Sequence, residues 1–395
     1  MPVLVFFQFP DKMKRNRMTT KIPVRKGAKD LRHEVLDRGL CTSCGMCLGL
    51  CPYLEELGEH VAMISDCKGE QGRCYEICPR ADTDLDELRR SLSDSWGEGA
   101  PDYDLGPFRY LRMSRARDSA VRGKGQYGGT VTALVLFGLQ AARIDAALLT
   151  RWSGDSGDPL LPGPVVARTR QEVLAAAGSK YTACPTLKVL DQTVREVARR
   201  LCVVGRPCQI LALRKRLRLE DPGFSPDRVA LAVGLFCMWS LSYREFRRWL
   251  EPALGGNRIE RIDIPKGSFV VDTDRGRVEL PHGDLLKHTR EACRRCYDFT
   301  AELADLSVGS TEWKDDWNTL IVRTDAGRVL VEAAAAEGWI ELEPFPPERE
   351  RLLREAAFNK KKRVLELLGQ EARESGREPY LRISKNEQDY FLNQP

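Results

Sequence analysis

Seven of the 13 cysteines fall in one short stretch near the beginning of the chain, and this stretch most constrains the fold. The first four form C-x2-C-x2-C-x3-C-P, running from Cys41 to Pro52. This spacing is typical of bacterial ferredoxins, in which three thiolates hold one iron–sulfur cluster and the fourth holds its neighbour. Zinc sites use separated C-x2-4-C pairs, and disulfides need an oxidising compartment. The stretch therefore predicts iron–sulfur clusters and a protein that moves electrons.

The ferredoxin rule also predicts how the seven thiolates divide, because each half of such a domain lends one cysteine to the other. An ordinary four-iron cluster takes Cys41, Cys44, Cys47 and Cys78. A second set contains Cys51, Cys67 and Cys74. This set lacks a fourth thiolate, because Lys68 and Gln71 stand where the regular spacing requires cysteines. We expect the second site to be occupied by a three-iron cluster or by a four-iron cluster with a non-cysteine ligand; an empty site is the alternative.

Four later cysteines follow apolar runs or form a C-x2-C pair: Cys208, Cys237, Cys293 and Cys296. Spacing alone allows them to converge on one further cluster, although scattered cysteines are more often small buried hydrophobic residues. Cys184 and Cys202 fit that second description, and we assign them no function.

The order of apolar and polar segments predicts an α/β protein with some α+β elements. From 108 to about 345, helix-like and strand-like runs alternate, and the later strands resemble an antiparallel sheet. We predict a basic, flexible leader at 1–30, a two-cluster ferredoxin-like domain at 31–90, a linker at 91–107, a catalytic α/β core at 108–345 and a charged helical tail at 346–395. Translation starting at Met18 is an alternative to Met1.

Composition excludes several classes of function. The net charge of +5 is mild and the basic residues are interleaved with acidic ones, so we expect no nucleic-acid binding. The basic run from Lys360 to Arg363 is expected to be a solvated helix face, with an acidic partner as the alternative. No apolar run is long enough to span a bilayer, and the opening residues lack the features of a secretory signal. We therefore expect a cytoplasmic protein.

A glycine-rich loop precedes a helix-like run and spells G-x-G-x-x-G at Gly123, Gly125 and Gly128. A Rossmann dinucleotide loop is disfavoured, because the preceding segment is not a clean strand and Asp145 precedes the next strand instead of ending it. The loop instead predicts a cradle of backbone N–H groups for a phosphate or flavin, and a plain turn and helix cap is the alternative.

Taken together, the ordered segments GQYGGTVTALVLFGLQ, AGSKYTACPTL, VVGRPCQILALRK, GLFC and CRRCYDFTAELADLSVGS resemble the beta-subunit family of coenzyme F420-reducing hydrogenase. The resemblance extends over roughly 35–345 and includes a ferredoxin-type N-terminal extension. It implies an FAD-binding core with a 4Fe–4S cluster beside the flavin, held by Cys208, Cys237, Cys293 and Cys296. It places flavin loops at Gly125, Gln126, Gly128, Gly129 and Thr130 and at Ser179, Lys180 and Tyr181. Lys180 would pair with a phosphate or an acidic substrate, or else be a solvated lysine.

The resemblance implies an oxidoreductase that converts between single electrons on iron–sulfur clusters and hydride transfer to or from coenzyme F420 or a similar carrier. Expected partners are that carrier and ferredoxin or other redox subunits of hydrogenase, formate dehydrogenase or heterodisulfide reductase type. Two alternatives stay open: an electron-relay subunit without its own small substrate, and a reductase of chlorophyll-type tetrapyrroles. The individual catalytic residues and the direction of electron flow are left open.

Overall fold

The fold is described from a computed structural model that covers residues 26–69, 72–96, 102–152, 160–265 and 267–393. Most of the predicted leader lies outside these residues. Its last part, from Lys26 to Asp30, belongs to the folded chain, because a helix begins at Ala28 and that residue is buried.

The helices and strands alternate through the middle of the chain. The helices are α1 Ala28–Leu31, α2 Arg73–Glu76, α3 Leu85–Arg90, α4 Ser93–Trp96, α5 Ser119–Lys124, α6 Thr130–Gln140, α7 Arg170–Ala175, α8 Leu190–Gln192, α9 Pro207–Arg218, α10 Tyr243–Leu254, α11 His282–Leu285, α12 Glu291–Arg294, α13 Asp325–Ala336, α14 Pro347–Ser375 and α15 Lys385–Leu392. The strands are β1 Leu54–Leu57, β2 His60–Met63, β3 Thr83–Asp84, β4 Tyr110–Ala116, β5 Ala146–Trp152, β6 Pro162–Ala167, β7 Leu201–Gly205, β8 Val229–Leu235, β9 Ile259–Asp263, β10 Ser268–Thr273, β11 Gly276–Pro281, β12 Leu306–Gly309, β13 Asn318–Val322, β14 Ile340–Pro344 and β15 Leu381–Arg382. Short π-helical segments lie at Arg32–Leu36 and Thr193–Val197, and 3-10 turns at Thr186–Val189, Pro226–Arg228 and Leu286–His288.

A mixed sheet of eight described strands forms the centre, in the order β14-β4-β13-β12-β8-β7-β5-β6. The inner strands β5, β7, β8 and β12 are parallel, and the strands on both sides of them are antiparallel. Every residue of β7, LCVVG, is buried, as expected for a parallel strand covered on both faces. The predicted α/β class is therefore confirmed.

Helices cover both faces of this sheet. Leu134 and Phe137 of α6 share a hydrophobic core with Leu330 of α13. On the opposite face, α9 contributes Ile210 and Leu213 to a second core. That second core also contains residues from both ends of the chain, among them Cys44, Met46, Ile77, Leu85, Val364 and Phe391. The cysteine-rich N-terminal region is thus packed directly onto the core.

The small N-terminal unit is built around the antiparallel hairpin of β1 and β2. Its hydrophobic cluster includes Leu31, Val35, Leu54 and Tyr75, with several cysteines packed against it. Farther along the chain, β9, β10 and β11 form a separate antiparallel sheet. There Phe246 of α10 packs edge-on against Phe269 of β10, in agreement with the antiparallel region expected from the sequence.

Two segments differ from expectation. The predicted linker at 91–107 contains α4 in its described part, and Leu105 is completely buried. The predicted tail is a structural element, because β15 pairs with β3 of the N-terminal region and α14 buries Lys360 and Lys361. The solvated face expected at those lysines is therefore wrong. Within the described ranges, no helix combines the length and apolarity needed to cross a membrane.

Candidate redox site

The thiols of the first N-terminal set lie near one another in the structure. Burial raises the pKa of Cys47, and the neighbouring thiols of Cys44, Cys41 and Cys78 raise it further. The Ser43 backbone N–H donates to the Cys41 sulfur at 3.4 Å. Such N–H···S bonds stabilise thiolates that ligate iron–sulfur clusters.

This set is also fixed to the core of the protein. The Leu187 backbone N–H donates to the Cys44 carbonyl at 3.0 Å. A Cβ at Gly45 would lie only 2.4 Å from the Pro185 carbonyl oxygen, and Gly45 has a φ of +87°. Glycine is required there because the cysteine loop turns and touches the core backbone at the same point.

The three thiols of the second set also lie together. Burial raises the pKa of Cys74 to about 11, and the thiols of Cys51 and Cys67 contribute to the increase. The Gly69 backbone N–H donates to the Cys67 sulfur at 3.4 Å. Lys68 is exposed, and Gln71, the other position where a cysteine is missing, falls outside the described residues.

The third set forms at one edge of the central sheet. Cys208 follows β7 and Cys237 follows β8, so both lie at the carboxyl ends of neighbouring parallel strands, where sites in α/β folds commonly occur. Cys293 lies in α12 and Cys296 just after it. Burial raises the pKa of Cys293, and the thiols of Cys296 and Cys208 add to the effect.

Cations surround this third set. Burial would raise the pKa of Cys296, but the charges of Lys360 and Arg80 outweigh it and lower that pKa below its ordinary value. Burial would lower the pKa of Arg206, but the thiols of Cys208 and Cys237 raise it, and its Nη2 is buried without a partner among the described residues. A buried guanidinium with a free donor beside three thiols of this set fits an anionic iron–sulfur cluster.

Arg80 and Tyr380 line a small cavity together with Cys208 and Cys296. Among the described residues, no three ligating side chains are arranged to hold a single metal ion. A cubane cluster spreads its thiolates over several iron atoms, so its ligands do not need to surround a single metal position. All 13 cysteines are free of disulfide bonds.

The three sets are arranged in series. Burial and the thiols of its own set raise the pKa of Cys47, and the thiol of Cys74 in the second set also contributes. Burial is the largest cause of the raised pKa of Cys44, and the thiol of Cys208 in the third set also raises it. The first set therefore lies between the second set and the core set.

The glycine loop does not have Rossmann geometry. The preceding segment contains β4, so the expectation that no clean strand precedes the loop is wrong. However, β4 leads into α5, and Gly123 lies inside that helix. Asp145 accepts from the backbone N–H groups of Arg199 and Arg200, which is a structural role. The Rossmann interpretation is thus excluded by the intervening helix.

The end of the loop is tightly closed. A Cβ at Gly128 would lie 2.8 Å from both Asn318 Oδ1 and the Ser114 carbonyl oxygen. Gly129 has a φ of +66° and precedes α6, whose first residue Thr130 donates its N–H to Asn318 Oδ1 at 3.1 Å. Asn318, which the sequence did not single out, thus takes one of the helix N-terminal donors.

Gln126 links the loop to the second flavin segment. Its Nε2 donates to the Tyr181 hydroxyl at 2.7 Å and to Asp263 Oδ1 at 2.5 Å. The Tyr181 carbonyl accepts from Ser240 Oγ, and the Ser240 backbone N–H donates to the Cys293 sulfur at 3.3 Å. Hydrogen bonds by way of Tyr181 and Ser240 therefore connect the loop to the Cys293 sulfur of the core set. Asp263 and Ser240 carried no recognisable sequence signal.

Lys180, beside Ser179, is directed toward the protein backbone. Its Nζ donates to the carbonyls of Ala176, Ala177 and Gly178, closing the end of α7. Burial lowers the pKa of Lys180 to about 7. It is therefore not the solvated lysine of the alternative interpretation, and these contacts occupy the amine that was expected to meet a phosphate.

Comparisons with known proteins agree with this architecture. Two family models match, both for the beta subunit of coenzyme F420 hydrogenase/dehydrogenase: the N-terminal model at 113–191 and the C-terminal model at 198–348. The coenzyme F420 hydrogenase subunit beta of Methanothermobacter thermautotrophicus is 34% identical over 245 residues, covering 61% of this chain and 86% of the relative.

Two further matches extend the comparison. The coenzyme F420-dependent sulfite reductase of Methanocaldococcus jannaschii is 28% identical over 344 residues, covering 83% of this chain and 51% of that protein. A chain of the F420-reducing NiFe hydrogenase complex from Methanosarcina barkeri superimposes with a TM-score of 0.66 at 30% identity, covering 72% of this chain and 99% of that chain. On sequence and fold together, the chain belongs to the beta-subunit family of coenzyme F420 hydrogenases and dehydrogenases.

Proposed function

We propose that this chain is a flavin- and iron–sulfur-dependent redox subunit that exchanges hydride with coenzyme F420 or a similar carrier and single electrons with a partner. The observation that carries the proposal is the serial arrangement of three thiol sets, ending at the hydrogen-bonded loop around Gln126 and Tyr181. Such a series suits transfer of single electrons between a surface and an internal site.

Bound FAD would exchange both single electrons and hydride pairs, and so would connect the carrier to the clusters. Gly125, Gln126, Gly128, Gly129 and Thr130 would provide its loop, with Ser179 and Tyr181 beside it. The core set would hold the cluster next to the flavin, and Arg206 and Ser240 would stabilise its thiolates through charge and an N–H···S bond.

The two N-terminal sets would hold the remaining clusters, within the predicted ferredoxin-like domain. The first set has the four thiolates of an ordinary 4Fe–4S cluster. The second has three described thiols in proximity, which supports a three-iron cluster or a non-cysteine fourth ligand. We propose that the second set exchanges electrons with the partner.

The names of relatives support both the carrier and the partner. They include hydrogenase and formate dehydrogenase subunits and a sulfite reductase, each named for coenzyme F420. We propose that this chain likewise works with another redox subunit or domain. A relay subunit without its own small substrate is the competing function to be tested.

Stopped-flow reduction of anaerobically purified protein tests the proposal. Reduced coenzyme F420, NADH and reduced ferredoxin are mixed separately with the protein, while flavin and iron–sulfur absorbance are followed. We expect reduced coenzyme F420 to reduce both kinds of centre. Reduction by ferredoxin alone would favour the relay function, and absence of FAD from iron-loaded protein would refute the flavin assignment.

Cys208→Ser sharpens the test. This variant should lose about four iron atoms, keep its flavin reducible and leave the N-terminal clusters oxidised, because their connection to the flavin is interrupted. Cys202→Ser is the matched control, since Cys202 is buried in β7 and belongs to none of the three sets. Full iron content in Cys208→Ser would contradict the ligand assignment.

A further inference from the structure

One lysine of the C-terminal helix reaches the core thiol set. Lys360 of α14 is completely buried. Its Nζ donates to the Cys237 carbonyl at 2.5 Å and to the Asp298 carbonyl at 2.8 Å. The sulfur of Cys296 lies 3.7 Å from that same Asp298 oxygen. The ammonium group is therefore next to two of the four proposed cluster ligands.

The neighbouring lysine provides an internal comparison. Lys361 is also buried, at 1% exposed. Its Nζ donates to the Tyr103 carbonyl and forms an ion pair with Glu302 at 3.3 Å. Both hydrogen bonds described for Lys360 go to neutral main-chain carbonyls instead. The charge of Lys361 is thus paired directly with the Glu302 carboxylate, while that of Lys360 lies near the thiols of Cys296 and Cys237 and the carboxyl of Asp298.

An uncompensated ammonium in the interior is costly unless an anionic group lies nearby. Four thiolates around an iron–sulfur core leave a net negative charge, and one-electron reduction makes that charge more negative. A fixed cation at this range favours the reduced form, because the attraction is only weakly screened inside the protein.

We propose that Lys360 is a positioning residue that raises the reduction potential of the core cluster. It does so by holding a buried positive charge against the backbone of Cys237 and the segment after Cys296. The cluster nearest the flavin then becomes a better electron acceptor. This proposal rests on the proposed function only in requiring a cluster on the four core cysteines.

An EPR-monitored redox titration of the anaerobically purified full chain tests the proposal, with iron content measured in parallel. The core signal is identified by its loss in Cys208→Ser. Lys360→Gln removes the charge but keeps an N–H donor for the carbonyls. We expect the reduced-to-oxidised ratio of the core cluster at a fixed potential to fall about tenfold, equivalent to about 59 mV for a one-electron centre. Lys360→Arg, which keeps the charge, and Lys361→Gln should remain near the wild type.

Three results would overturn the proposal: an unchanged ratio in Lys360→Gln, an equal shift in Lys361→Gln, or a comparable fall in Lys360→Arg. Lys360→Met is a second neutral variant in case the glutamine variant loses core iron. Loss of core iron from both neutral variants with retention in Lys360→Arg would show an assembly role and would also overturn potential tuning. Absence of a core cluster from the wild type would instead contradict the proposed function.

Discussion

Desolvation of a single side chain gives Lys180 a pH-dependent contribution to stability. Its pKa is lowered to about 7 in the folded chain, whereas an unfolded chain gives lysine about 10.4. Between these values the unfolded chain binds more protons than the folded one, so this lysine makes folding more favourable as pH rises. Below about pH 7 both states hold the proton, so the contribution of this lysine to the free energy of unfolding no longer changes with pH.

Lys180→Met should therefore remove part of the rise in stability between about pH 7 and about pH 9.5. Urea unfolding of both proteins at the two pH values measures the effect as a difference, which cancels the titration of the cysteines. Lys287→Met serves as the control, because Lys287 forms an exposed ion pair with Asp284. An identical pH dependence in wild type and Lys180→Met would contradict the prediction.

At the scale of elements, the segment from α5 through the glycine loop to α6 contains one glycine that is closely packed, Gly128, and one with open space around it, Gly123. Gly128→Ala would place its Cβ 2.8 Å from the Ser114 carbonyl oxygen and from Asn318 Oδ1. Since a backbone atom cannot move aside without shifting β4, the loop should distort, and we expect FAD content after acid extraction to fall at least several-fold.

Gly123→Ala is the matched control for that loop. Gly123 lies in α5, and no atom lies within 4 Å of a Cβ built there. Alanine in a helix should be neutral or stabilising by about 0.5–1 kcal/mol, with FAD retained. Equal FAD loss in both variants would contradict the proposed role of the 125–130 loop.

At the scale of the whole molecule, the C-terminal segment joins the N-terminal region to the core. Glu387 of α15 is fully buried and accepts from Arg89 of α3 and from the Tyr297 hydroxyl. Arg89 also pairs with Glu302. Three parts of the chain that are distant in sequence therefore meet in one buried charge network.

Glu387→Ala should destabilise the protein by about 3 kcal/mol, because it leaves the buried Tyr297 hydroxyl without its acceptor and Arg89 with one buried carboxylate, Glu302, instead of two. Asp389→Ala on the same helix removes only an ion pair with the exposed Lys385 and should cost less than about 1 kcal/mol. The unfolding midpoint in urea distinguishes the two variants. Similar costs for both would show that the network contributes little.

The sequence by itself determined which thiols are candidates for iron–sulfur ligation, because ligand spacing is a local property of the chain. C-x2-C-x2-C-x3-C-P predicts iron–sulfur ligands, and the structure places Cys41, Cys44, Cys47 and Cys78 near one another. Most helices and strands between 108 and 345 were also predictable, since hydrophobic periodicity within each segment decides them.

Only the tertiary structure decided the surroundings of the thiols, because burial and charge compensation depend on segments that are far apart in sequence. Lys360 and Lys361 stand in a run that resembles an exposed basic face, yet both are buried once α14 packs against the core. Likewise, only the structure shows that the amine of Lys180, predicted to meet a phosphate, donates to three backbone carbonyls. The sequence gives the charge of a side chain, but the packing of distant segments decides whether water, a carboxylate or a thiolate lies next to that charge.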